Sequence, residues 1–381
     1  NGTDTLETQF DSDGLPWSVG ELALWFDGKN GRLLETYLGD ITDHLDYNGF
    51  GELEGYYALS GMDTLFHSRY ARDKLGRITR KTETVQGVTK VHEYVYDPAG
   101  RLREAVLNGV DTIRYAYDSN GNRLARVHPL GVDSGHYDEQ DRLLDYDGRL
   151  FTYTANGDLA AMVQGADTTT FDYDAFGNLI AVELPDATKI EYVIDGKNRG
   201  VGRKVNGVMR QGFLYQGQQA PVAELDSAGN VVARFIYASR SHVPDYLVKG
   251  GITYRIISDH LGSPRLIVDA WTGEVAQRID YDEFGVVTYN SKPGFQPFGF
   301  AGGIVDPSTS MTKFGVRDYD PVPGRWTNKD PIKFRGRSLN LYEYVENDPV
   351  NSVDPSGRKA ISVVVPVIPE GAAAVSAMCG K

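Results

Sequence analysis

The chain of 381 residues contains one cysteine, Cys379. A lone thiol closes no intrachain disulfide, so a crosslinked framework is excluded. No motif surrounds Cys379, so it reads as a bystander rather than a nucleophile. Positive charge is scarce: 39 Lys and Arg stand against 52 Asp and Glu, a net charge of −13. That balance argues against general nucleic-acid binding. No segment approaches the ~18 consecutive apolar residues of a membrane helix. The seven histidines (His44, His67, His92, His128, His136, His242 and His260) are scattered without a metal-binding spacing such as HExxH. The glycines from Gly299 to Gly303 lack the lysine and strand–helix context of a phosphate loop. No GxSxG elbow is present. No cofactor and no metal are therefore expected. The opening NGTDTLETQF lacks Met, a basic start and an apolar run, so the chain reads as a piece of a longer one rather than as a secretory leader.

What is plentiful is glycine (43) and tyrosine (23), with 41% hydrophobic residues. This composition suits short strands and tight turns over a packed core. One phrase recurs: aromatic-x-aromatic-Asp-x-x-Gly. It appears as YARDKLG from Tyr70, YVYDPAG from Tyr94, YAYDSNG from Tyr115, FDYDAFG from Phe171 and IDYDEFG from Ile279. Weaker copies are HYDEQD from His136, FTYTANG from Phe151 and YVIDGKN from Tyr192. Two aromatics two residues apart share one face of a strand. Asp first and Gly fourth make a turn, and in YVYDPAG a proline presets its second position. Each phrase thus encodes a β-hairpin. Asp73 and Asp97 lie 24 residues apart, Asp97 and Asp118 lie 21 apart, and so do Asp174 and Asp195. A period near twenty fits two strands and two turns. Tyr-rich alternation also occurs in sandwiches and barrels, but those do not repeat a phrase in register. A hairpin cannot bury its face alone, so repeated hairpins must stack. The long sheet that results must coil, because strands twist. The expected fold is all-β: hairpins wound into a large, hollow, spiralling antiparallel shell.

These residues resemble the YD repeats of the Rhs family, which includes bacterial polymorphic toxins, the C components of Tc toxins and the animal teneurins. DHLGSPRLIVDAWTGEVAQRIDYDEFG (Asp259 to Gly285) resembles the segment preceding the family's core-associated region. FAGGIVDPSTSMTKFGVRDYDPVPGRWTNKDPI (Phe300 to Ile332) and NLYEYVENDPVNSVDPSG (Asn340 to Gly357) are similar to that core region nearly word for word. The resemblance divides the chain into a degenerate shell segment (1–64), repeats (65–285), a core-associated region (286–357) and an apolar tail or linker (358–381). It implies a cocoon enclosing a polypeptide, in the toxins a variable C-terminal toxic domain, with the core-associated region capping one end. It also implies self-cleavage by an aspartyl-protease-like reaction in many members.

An aspartyl protease needs two carboxylates close enough that one holds a proton while the other activates water. Asp330 opens DPIK and Asp354 opens DPSG, paired motifs that resemble those required for self-cleavage, with Lys333 where glycine is usual. Asp306 and Asp318 resemble the acidic pair of the Tc C components, with Val305 in the place of an arginine and Arg317 as a source of the missing charge. Each aspartate also has a plain reading as a turn former, as Asp97 and Asp118 do.

The reading that follows is a toxin shell, secreted or translocated. Its partner is its own C-terminal toxin domain, with delivery or secretion-system proteins towards the N-terminal side. Neither nucleic acid nor a membrane span enters this account. The alternative is a teneurin-like or wall-associated surface protein without protease activity. A carbohydrate-binding β protein ranks last, since repeated aromatics more often line a core.

Overall fold

The computed structural model describes residues 5–336 and 338–363; the tail beyond them, with Cys379, lies outside the described residues. From Thr8–Phe10 to Val287–Asn290 the chain forms one antiparallel sheet of 28 strands, each pairing with the next in sequence. No α-helix occurs among the described residues.

The repeated phrase builds one joint many times. Asp97 Oδ1 accepts the backbone N–H groups of Ala99 (2.9 Å) and Arg101 (3.0 Å), and Oδ2 accepts Arg101 Nε at 2.6 Å. Asp73 with Arg77, Asp138 with Arg142 and Asp195 with Arg199 repeat this joint. Asn takes the place of Arg in the pairs Asp118–Asn122 and Asp174–Asn178. Gly100 closes its turn at φ +93°, a left-handed conformation that a Cβ would strain. The second tyrosine of the phrase stitches neighbouring hairpins. Tyr96, Tyr117 and Tyr137 donate to the carbonyls of Ile78 (2.6 Å), Leu102 (2.8 Å) and Arg123 (2.9 Å). Beside the stitch the register slips, for example between Ala116 and Tyr117 and between His136 and Tyr137. A bulge repeated at one end of every hairpin bends the sheet in one direction, and this curls the shell.

Because the strands alternate, all these Asp turns from Asp11 to Asp195 gather on one rim. The opposite rim is made of tight turns with left-handed residues, such as Asn108-Gly109, Asp147-Gly148 and Asn206-Gly207. Asp226 is the exception. The turn Gly217–Gln219 takes the rim position, where Arg199 reaches the Gly217 carbonyl at 2.5 Å, so Asp226 falls on the far rim.

The two ends of the sheet overlap face to face. Ile41, Ala58, Phe66 and Val85 pack on Ile257, Leu266 and Val268. Leu22, Leu24 and Leu38 pack on Ile236, Tyr246 and Ala270. Buried charges cross the same overlap: Asp43 pairs with Arg255 at 2.8 Å, and Glu83 with Arg265 at 2.6 Å.

The last Asp turn, Asp282–Gly285, points inward. Phe284 is 1% exposed and meets the Tyr115 ring at 5.0 Å. Glu283 is largely shielded beside it, and its Oε2 has no hydrogen-bond partner. Burial and the adjacent Asp282 charge push the Glu283 carboxyl up to about 7. A raised carboxylate favours the fold when neutral. That contribution is full below the ordinary Glu range and is lost as pH rises through 7. Glu283→Gln is therefore expected to melt with the wild type in acid and above it in alkali, by up to about 3 kcal/mol. Melting curves across pH check this; a difference independent of pH would refute it.

Candidate functional site

After Asn290 the chain turns into the shell and becomes a plug. A four-stranded sheet, Ile304–Val305, Thr312–Phe314, Arg317–Asp320 and Arg325–Trp326, carries it. Its centre is aromatic: Phe300, Phe314, Tyr319, Trp326 and Tyr344 are all buried in one cluster. The plug is clasped to the Asp-turn rim by polar side chains. Asn351 Oδ1 accepts Ile78 N–H (2.8 Å), and Asn347 reaches the Gly121 carbonyl (2.8 Å). Tyr342 reaches the Gly157 carbonyl (2.7 Å) and Asn328 that of Gly177 (2.8 Å). His260 bonds the Val350 carbonyl at 2.8 Å.

Within the plug the structure brings Asp330 and Asp354 together. One nitrogen, Arg317 Nη2, lies 3.1 Å from Asp330 Oδ2 and 3.2 Å from Asp354 Oδ2. Arg317 is 3% exposed and is fixed on three other sides. Its Nε donates to the Gly357 carbonyl (2.5 Å), its Nη1 to the Leu341 carbonyl (3.4 Å), and its guanidinium lies 4.0 Å from the Trp326 ring centroid. Both aspartates also keep their turns: Asp330 Oδ1 accepts Ile332 N–H (2.8 Å), and Asp354 Oδ1 accepts Arg358 N–H (3.1 Å) and the Ser356 hydroxyl (2.9 Å). In each aspartate one oxygen therefore serves the turn and the other faces Arg317. Burial raises the Asp330 carboxyl above the ordinary range; Arg317 opposes this and the Asp354 charge adds to it. A small cleft surrounds them, and the chain leaving the second motif lines it with Arg358 and Ala360.

Lys333, the departure in the first motif, sits at φ +53° and donates its N–H to the Asp330 carbonyl at 2.9 Å. Its left-handed backbone is the physical reason glycine suits this place. Lys333→Gly is expected to stabilise the plug by about 1 kcal/mol. A denaturation midpoint equal to or below that of the wild type would contradict this.

Asp306 and Asp318 face a different and larger cavity between plug and shell. Asp306 Oδ2 accepts both the Tyr192 hydroxyl and Arg203 Nε at 2.8 Å, while Oδ1 accepts two N–H groups of its own turn. Lys313 pairs with Asp318 at 2.8 Å. Burial raises the Asp318 carboxyl, against the Lys313 charge. Arg317 does not serve this pair. Adjacent residues of a strand point to opposite faces, so Arg317 turns away from Asp318 to the other carboxylates. The charge beside Asp306 comes from Arg203, a shell residue 103 positions upstream. Arg203 and Tyr192 escaped sequence reasoning because they belong to ordinary strands. Among the described residues no group of His, Cys, Asp and Glu is placed to hold a metal ion, and no helix is long and apolar enough to cross a membrane.

Comparison with known proteins agrees with this architecture. Human teneurin-4 is 29% identical over 341 residues, covering 84% of this chain and 12% of that protein. Double-stranded DNA deaminase toxin A of Burkholderia cenocepacia (strain H111) is 28% identical over 329 residues, covering 76% of this chain and 22% of that protein. The chain thus spans a small part of these relatives. The crystal structure of TcdB2-TccC3-TEV superposes with a TM-score of 0.67 at 18% identity, over 92% of this chain and 20% of that one. The Photorhabdus luminescens Tc holotoxin pore superposes at 0.62 with 16% identity, over 95% and 22%. These two likenesses concern the fold. The family model described as teneurin YD-shell matches residues 3–350, and the chain belongs to that family of YD-repeat shells.

Proposed function

We propose that this chain is the closing part of a bacterial toxin shell, which encloses a C-terminal toxic domain and frees it by aspartyl self-cleavage. One observation carries the reading: two Asp-Pro motifs 24 residues apart deliver their carboxylates to a single guanidinium nitrogen, beside the chain that leaves the second motif. Asp330, the member whose carboxyl is raised, acts as proton donor to the scissile carbonyl or the leaving amine, and Asp354 acts as base towards water. Arg317 holds the two in register and offsets their mutual repulsion. The relative named a DNA deaminase toxin supports the cargo, and the Tc toxin folds support the container. Delivery would place the product outside its producing cell.

The test is the intact mass of the full-length gene product. Two fragments that together account for the whole chain support self-cleavage, and their masses place the cut. A single uncut chain removes the protease and favours the second reading, a surface protein of the teneurin kind, to which the family match also points.

A further inference from the structure

Besides the clasps of Asn328 and Asn351, a short segment, Asn340 to Glu343, ties the carboxylate pair to the shell rim. Asn340 is 3% exposed, and its Nδ2 donates to Asn122 Oδ1 (2.8 Å) and to the Asn120 carbonyl (3.2 Å), both in the rim turn that Asp118 opens. Asn122, also 3% exposed, is itself fixed by Asp118 Oδ2 (2.9 Å) and by Asp141 Oδ1 of the next rim turn (2.7 Å). The residue after Asn340 is Leu341. Its carbonyl accepts the Asp330 N–H at 3.0 Å and Arg317 Nη1 at 3.4 Å. The remaining contacts of the segment also run to the rim or the cleft. The Ser338 hydroxyl accepts Asn340 N–H (3.0 Å) and donates to Glu343 in the cleft wall. Asn347 Nδ2 is shared between Glu343 (3.2 Å) and the Gly121 carbonyl of the same turn (2.8 Å). A single peptide unit therefore separates the rim contact from the acceptor that sets both Arg317 and Asp330.

We infer that docking of the plug on the turn Asp118–Asn122 assembles the carboxylate site, so that the chain is cut only after the shell has closed. Asn122 and Asn340 are positioning residues in this scheme; neither touches the reacting carboxylates. The inference rests on the self-cleavage reading. Without the Asn340 contact, Leu341 keeps only Tyr342, on the Gly157 carbonyl, as a neighbouring rim anchor, and its carbonyl is less firmly placed. Arg317 and Asp330 then lose a shared reference point. Misplacing reacting groups by about 1 Å lowers a rate by ~10²-fold.

The experiment uses the full-length chain, cargo included, and follows the appearance of cut product by mass after refolding. Asn122→Ala and Asn340→Ala are each expected to slow cutting at least ~10-fold within the folded population, with the double variant no slower than the slower single one. The pH profile of cutting should keep its shape, because no titrating group is changed. Ile41→Val weakens the shell overlap far from the plug and is expected to cut at the wild-type rate, which separates positioning from general stability. Should an alanine variant not fold, Asn340→Asp replaces it, keeping the shape while putting an acceptor against Asn122 Oδ1. Folded Asn122 and Asn340 variants that cut within about twofold of the wild type, in a wild type that does cut, overturn the gating alone. An uncut wild-type chain overturns the self-cleavage reading and this inference with it.

Discussion

Asp330→Asn is expected to leave the chain whole where the wild type is cut, lowering the rate by ~10²- to 10⁴-fold, the usual worth of a positioned acid or base. The substitution is nearly isosteric. The side-chain carbonyl oxygen of the introduced amide can still accept the Ile332 N–H, so the turn survives and the loss falls on chemistry. Asp354→Asn should have the same outcome for a different reason. It removes the base, and with it the carboxylate charge that Arg317 balances. Asp330 carries the more informative pH dependence, since burial raises its carboxyl. Its protonated form is needed, so the wild-type rate should climb as pH falls from neutral towards the carboxylate range. A rate that climbs with pH would assign Asp330 the opposite role. If cutting survives both changes and stops in Asp306→Asn or Asp318→Asn, the chemistry belongs to the larger cavity.

The hairpin phrase was legible because its chemistry is local. Asp, the residue four places on, the turn glycine and the stitching tyrosine all meet within about one repeat. Even the copies that look degraded build the same joint. Asp138 and Asp195 hold Arg142 and Arg199 as firmly as Asp97 holds Arg101, and Thr154 with Asp158 exchanges the two roles. The shift of Asp226 to the far rim was hidden, because the phrase records a turn but not which end of the sheet it occupies. Coiling could be argued from twist. The overlap of the first strands on the last could not, because it joins residues such as Asp43 and Arg255 that are 212 apart. The site divides in the same way. The two Asp-Pro motifs announce their aspartates, but the direction of Arg317 depends on strand alternation inside the plug. The rim clasp of Asn340 depends on which turn of the closed shell lies beneath it.

Arg265→Met is expected to destabilise the shell by about 3–5 kcal/mol, the cost of breaking a buried ion pair from one side. Arg265 is 6% exposed and reaches Glu83 across the overlap at 2.6 Å and Asp280 on the neighbouring strand at 2.8 Å. Its Nε also satisfies the Ile279 carbonyl at 2.9 Å. Methionine fills much of the volume and keeps contact with Phe66, so little of the loss is a cavity. What remains is Glu83, 2% exposed, with Lys81 at 3.5 Å as its nearest cation. In the wild type burial works against the Glu83 charge, and Lys81 and Arg265 together outweigh it, holding the carboxyl well below the ordinary range. A depressed carboxylate stabilises the fold above its unfolded value and loses that contribution as pH falls. Removing Arg265 reverses the balance, so the defect should be largest at neutral pH and shrink in acid, where Glu83 can take up a proton. Adding Glu83→Gln to Arg265→Met should recover part of the loss, because no uncompensated carboxylate is then left in the overlap, although Lys81 gives up its partner. Denaturation midpoints of the single and double variants across pH decide the matter. A loss below about 1 kcal/mol, or one that grows in acid, would mean that the apolar contacts alone hold the overlap shut.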